Sequence, residues 1–130
     1  MSVDLHERLP ARPESIAPLR HAVVDLAHSS GASDRQREDI ALAVSEAVSN
    51  AVVHAYTAQE RPGDVAVQAW MHNRSLEVVV CDEGAGMLPR VDGHGLGIGL
   101  ALMDRMTEQL ELNSLDTTPG VRVRMTFAVG

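Results

Sequence analysis

Residues 64–82, DVAVQAWMH followed by NR and SLEVVVCD, hold two strand-length apolar patterns with almost nothing between them. The link is the short turn His72-Asn73-Arg74, and so short a connection allows only an antiparallel hairpin. Whatever this chain folds into must contain that hairpin. The second strand carries Val78, Val79 and Val80 in succession, which marks it as core material. Three more segments read as strands: VDLHERL at 3–9, QLELNS at 109–114 and GVRVRMTFAV at 120–129, the last two joined by a turn at 116–120. Apolar residues at helical spacing (Ile16, Leu19, Val23, Leu26, Ala27) predict a first helix opening at Pro13, with Pro18 early enough to be tolerated, and stopped by SSG at 29–31. A second helix, capped by Ser33 or Asp34, should run to about Tyr56, and a third from about Leu96 to Glu108. TAQERPGD at 57–64 is a loop. Strands on one side and helices on the other give an α+β two-layer sandwich.

Composition narrows the function. At 130 residues the chain is expected to be one domain, residues 1–130. No apolar run approaches the ~20 residues of a membrane span, no signal-peptide pattern opens the chain, and Cys81 is alone, so a soluble cytoplasmic protein is expected. The net charge of −7 argues against a nucleic-acid binder. All eleven basic residues are arginine, and the lack of lysine removes a P-loop and any Schiff base. Tyr56, Trp70 and Phe127 are the only aromatics, too few for base-stacking platforms. His6, His21, His28 and His72 show no metal-ligand spacing with a cysteine.

Within the second helix, SEAVSNAVVHAY places Glu46 and Asn50 one turn apart among Ala43, Val44, Ala47, Val48, Ala51 and Val52. Four residues advance a helix by about 400°, so the two polar side chains stack on one stripe. A charge in apolar surroundings costs several kcal/mol, roughly, unless something pairs with it. The stripe is either a wet helix edge or the wall of a site.

Two glycine-rich stretches bear on that choice. The core strand ends in DEGAG, which puts Asp82 where the strand runs out and Gly84 and Gly86 behind it. Such a carboxylate either caps a turn or serves as a recessed acceptor that a flat ligand can reach past glycine backbone. Eleven residues after Asp82, GHGLGIG sets Gly93, Gly95, Gly97 and Gly99 at alternate positions leading into a helix. Glycine inside a helix costs about 1 kcal/mol, whereas a helix N-terminus reached through glycines exposes N–H groups to phosphate. The spacing fits G-x-G-x-x-G in no register, which counts against a Rossmann site.

Three motifs therefore occur in order: E-x-x-x-N on a helix (Glu46, Asn50), D-x-G-x-G after a strand (Asp82, Gly84, Gly86) and G-x-G-x-G opening a helix (Gly95, Gly97, Gly99). This triplet resembles the GHKL superfamily of ATP-binding proteins, and SEAVSNAVVHAY in so short a chain looks most like the bacterial anti-sigma-factor serine-protein kinases. The resemblance implies a Bergerat-type fold, with a mixed, mostly antiparallel sheet and helices on one face. It implies ATP and Mg²⁺ as cofactors. Asp82 would accept from the adenine amino group, with Gly84 and Gly86 against the base. Asn50 would ligate Mg²⁺, Glu46 would be the general base, and Gly93, Gly95, Leu96, Gly97 and Gly99 would wrap the phosphates. His54, a further turn along, reads as a packed histidine beside the site. A sigma factor and an anti-sigma-factor antagonist would be the partners, and the chain would form a homodimer, with no nucleic acid or membrane bound.

The chain departs from that family in two places. Only Met87 to Asp92 separate the two glycine stretches, a short lid whose single cation is Arg90. The last strand has Gly120-Val121 where family members often have Gly-Thr, and Thr126 is not an obvious substitute. The leading expectation is a kinase that phosphorylates an antagonist and otherwise sequesters a sigma factor. The alternatives are a nucleotide-loaded sequestering module with little transfer, and a stressosome-type switch kinase. A histidine kinase is disfavoured, because the only His-Glu pair, His6-Glu7, lies in a strand.

Overall fold

The computed structural model describes residues 4–58, 63–82, 96–114 and 121–130, with the backbone alone at 54–58, 96–100 and 114. The chain runs β1 (Leu5–Pro10), a 3₁₀ turn (Pro13–Ser15), α1 (Ile16–Ser29), α2 (Asp34–Ala58), β2 (Asp64–His72), β3 (Ser75–Asp82), α3 (Leu96–Met106), β4 (Gln109–Ser114) and β5 (Val121–Ala128). The anticipated hairpin is present: β2 and β3 pair antiparallel from Val65–Asp82 to His72–Ser75. Since His72 is itself paired, the loop is only Asn73 and Arg74. Asn73 takes a positive φ of 57°, which asparagine tolerates better than most residues.

The five strands are ordered β1-β2-β3-β5-β4. The expected mixed sheet is corrected here, because all four ladders are antiparallel. The crossover through α3 does make β4 run in the same direction as β3. However, β5 inserts between them and pairs antiparallel with both. The parallel relation survives only between strands that do not touch.

The helices lie on one face of the sheet. Along β5, Val121, Val123, Met125 and Phe127 are buried, while Arg122, Arg124 and Ala128 are exposed. The same alternation buries Leu76, Val78 and Val80 of β3 and Val65, Val67 and Ala69 of β2. Against this face α2 sets Ile40, Ala43, Val44, Ala47, Val48, Ala51 and Val52, and α1 adds Leu19, Val23 and Ala27. The small residues let α2 lie close to the strands. On the opposite face Arg124 pairs with Glu77 at 2.8 Å and lies 5.7 Å from the centre of the Trp70 ring.

The helix ends follow their local chemistry. Gly31 ends α1 with φ +98°, and the Ala32 and Gly31 amides donate back to the Ala27 and His28 carbonyls. Ser33, rather than Asp34, caps α2. Its Oγ accepts from the Gln36 amide at 3.1 Å while Gln36 Oε1 accepts from the Ser33 amide at 2.9 Å. Such a reciprocal box contributes about 1 kcal/mol.

Four boundaries differ from expectation. Strand β1 includes Pro10, tolerable because β1 is an edge strand. Helix α1 is preceded by a 3₁₀ turn at Pro13 instead of starting there. Helix α2 runs on to Ala58. Helix α3 stops at Met106, before Glu108, because the Glu108 amide already donates to Thr126 of β5 and Thr107 Oγ1 turns back to the Met103 carbonyl. The turn at 116–120 and residues 59–62 of the expected loop at 57–64 lie outside the described residues.

Candidate nucleotide-binding cleft

Helix α2 crosses the sheet above β3 and β5, and a cleft opens where α3 joins them. Its lining is Ala47, Asn50 and Ala51 from α2, Val80 and Asp82 from β3, Val121 and Val123 from β5, and Met103 from α3. Strand parity explains the carboxylate. Asp82 follows Leu76, Val78 and Val80 at steps of two, so it faces the helices rather than solvent. It is 5% exposed, one of two buried polar residues among those described. Burial of a carboxylate at the mouth of an apolar cleft is costly and makes it a strong acceptor.

Asn50 supplies the second polar group of the lining. Its side-chain nitrogen is buried and has no hydrogen-bond partner among the described residues. A buried orphan amide costs about 1–3 kcal/mol. Because a half-turn of the amide exchanges its N and O, the group can offer either a donor or an oxygen ligand to something entering the cleft. No cluster of three His, Cys, Asp or Glu side chains capable of holding a metal occurs among the described residues. A cation here would therefore draw on Asn50, ligand oxygens and water, which suits the hydrated coordination of Mg²⁺.

Glu46 lies one turn before Asn50 on α2, half-buried, and is not part of the cleft lining. The stripe seen in sequence thus runs from the rim of the cleft into its floor. Gly97 and Gly99 fall within the first turns of α3, and Leu96 begins it. Gly84, Gly86, Gly93, Gly95, Arg90 and the side chain of His54 lie outside the described residues.

Other readings are resolved by parity. Val121 lines the cleft, so the missing threonine corresponds to a wall position that is apolar in this chain. Thr126, five residues on, points to the opposite face, where it borders a shallow depression with His72, Ser75, Glu77, Glu108 and Gln109. Cys81 also faces away from the cleft and is half-buried. Burial pushes its thiol up; nearby Arg122 opposes this and Asp82 adds to it, a shift that disfavours the thiolate. Met103, fully buried, and Val123 are lining residues that sequence reading missed. No local pattern sets Met103 apart from the other apolar residues of α3.

Residues 9–127 match the family described as the histidine kinase-like ATPase domain. The chain belongs to that family. Among curated members it is 32% identical to the serine-protein kinase RsbW of Bacillus pumilus, over 96% of this chain and 86% of the relative. It is 34% identical to the anti-sigma F factor of Caldanaerobacter subterraneus, over 71% of this chain and 70% of the relative. Among solved structures, the RsbU and RsbW domains of Rv1364c from Mycobacterium tuberculosis share the fold with a TM-score of 0.75 and 23% identity. That match covers 96% of this chain and 31% of the longer protein. The histidine kinase-like ATPase fold is therefore shared along nearly the whole chain, and the cleft between α2, α3 and the sheet is an apolar recess with two polar groups, Asn50 and Asp82.

Proposed function

We propose that this chain is an ATP-dependent serine-protein kinase and anti-sigma factor, which phosphorylates an antagonist protein and otherwise sequesters a sigma factor. The observation that carries the reading is the cleft itself. A buried carboxylate and an amide whose buried nitrogen has no hydrogen-bond partner among the described residues meet between apolar walls, in a chain of the histidine kinase-like ATPase family. In this reading Asp82 accepts from the adenine amino group while Val80, Val121, Val123 and Met103 enclose the ring. Asn50 is the protein ligand for Mg²⁺, which when bound would neutralise phosphate charge. Gly84, Gly86, Gly93, Gly95, Leu96, Gly97 and Gly99 line the path of the base and phosphates. Glu46 takes the proton of the attacking serine as its oxygen bonds to the γ-phosphorus; the bond to the bridging oxygen breaks and ADP leaves.

The test is transfer from γ-labelled ATP to candidate antagonist domains of the same genome. Label on a serine is the expected result. Nucleotide binding with no transfer to any antagonist would leave a sequestering module instead. Asn50→Ala should abolish most of the Mg²⁺ dependence of nucleotide binding and leave the circular dichroism spectrum unchanged. If titrations with and without Mg²⁺ move in parallel for both proteins, Asn50 is not the ligand.

A homodimer in the cytoplasm belongs to the same reading. Strand β1 lies at the edge of the sheet with α1 following it, a surface that a second copy could extend. Sedimentation at micromolar concentration should give twice the mass of one chain. No helix among the described residues is long and apolar enough to cross a membrane.

A further inference from the structure

Helix α2 changes character along its length. Residues 34–39, DRQRED, are all polar, but from Ile40 to Ala58 the only Asp, Glu, Lys or Arg is Glu46. Among the described residues the only exposed large hydrophobics are Leu42, at 41%, and Val53, at 51%, both in that second stretch. At about 100° per residue, Leu42 and Val53 lie within roughly 20° of one another around the helix, and Glu46 falls on the same line between them. Half-buried Ser49 continues the line. Beside Leu42 a shallow groove is walled by Arg20 of α1 and by Glu38, Ala41 and Ser45 of α2.

Single exposed hydrophobics are ordinary and need no explanation. Two of them on one line with a lone carboxylate, on a stretch of helix that carries no other charge after Ile40 and is bordered by Glu38 and Arg20 at its Leu42 end, have the composition of an interface core with a charged rim. The line is also continuous with the cleft, since Asn50 is one turn beyond Glu46 on the same helix.

The geometry points to this stripe as the docking surface for the acceptor segment of the protein substrate, a serine flanked on both sides by apolar side chains. The inference rests on the kinase reading and on Glu46 as its base. A serine hydroxyl within hydrogen-bond reach of Glu46 lies about 6 Å along the axis from the level of Leu42, and about 10 Å from that of Val53. Those spans correspond to roughly two and three residues of extended chain. One flanking side chain of the substrate packs on Leu42 and the other on Val53. Specificity for the antagonist then comes from hydrophobic contacts that touch neither nucleotide nor reacting atoms.

The test uses the full chain and the antagonist domain that accepts label in the transfer assay. Leu42→Asp and Val53→Asp, both at exposed positions, should each raise KM for the antagonist at least tenfold. The rate at saturating antagonist and the affinity for ATP should stay within twofold. Leu42→Ala and Val53→Ala should raise KM less, which separates lost contact from added charge. Arg35→Glu, on the charged first turn of α2, should leave KM unchanged. Unchanged KM in both aspartate variants would overturn the docking surface while leaving the kinase reading intact, as would loss of sigma-factor co-purification with antagonist KM unmoved. A parallel fall in ATP affinity would also overturn it, by placing the effect in α2 itself. If the unaltered protein transfers phosphate to no antagonist, the kinase reading fails and the inference fails with it.

Discussion

Glu46→Ala is expected to slow phosphate transfer to the antagonist serine at least ~100-fold, because general-base help is typically worth about 10²–10⁴-fold. ATP should bind at least as tightly as before. Glu46 stands at the rim, outside the lining that would hold the base and the metal, and its removal takes away a negative charge near the phosphates. Alanine is the best helix former, so α2 keeps its stability. Single-turnover transfer measured beside nucleotide titration separates the outcomes. Parallel loss of binding and transfer would make Glu46 a structural residue, and full retention of transfer would place the base elsewhere.

Asp82→Asn should weaken ATP binding by about 1–3 kcal/mol, roughly 5- to 150-fold. The substitution is nearly isosteric, so the apolar walls from Val80, Val121, Val123 and Met103 stay in place. What changes is the hydrogen-bonding character, from an acceptor-only carboxylate to an amide that can also donate. The unmodified protein should bind ATP well ahead of GTP, because guanine presents a carbonyl where adenine presents its amino group, and two acceptors then face each other between apolar walls. The apolar Val121 wall offers no second polar group to share the reading. Isothermal titration of ATP and GTP against both proteins is the measurement. Equal affinity for the two nucleotides in the unmodified protein would mean that Asp82 does not read the base.

Much of the site was legible because periodicity is a local property of the chain. Steps of two from Leu76 put Asp82 on the buried face of β3, and the same arithmetic from Val121 puts Thr126 on the other. Steps of four put Glu46 and Asn50 on one stripe, and the short link at Asn73-Arg74 required the hairpin. Gly31 marked the end of α1 through interactions between near neighbours, while the choice of Ser33 over Asp34 as the cap of α2 came from the structure.

Strand order was not legible in that way. Nothing in the local pattern of β5 says that it inserts between β3 and β4, yet that insertion brings Val121 and Val123 beside Asp82 and makes every ladder antiparallel. Met103 reached the cleft only through the packing of α3 on α2, and Glu46 was parted from Asn50, rim from floor, by where α2 crosses the sheet. The alternation of side chains is set by covalent geometry within a few residues. Which strand lies beside which is set by apolar burial and ladder hydrogen bonds between segments far apart in the chain, and these exist only once the sheet has assembled.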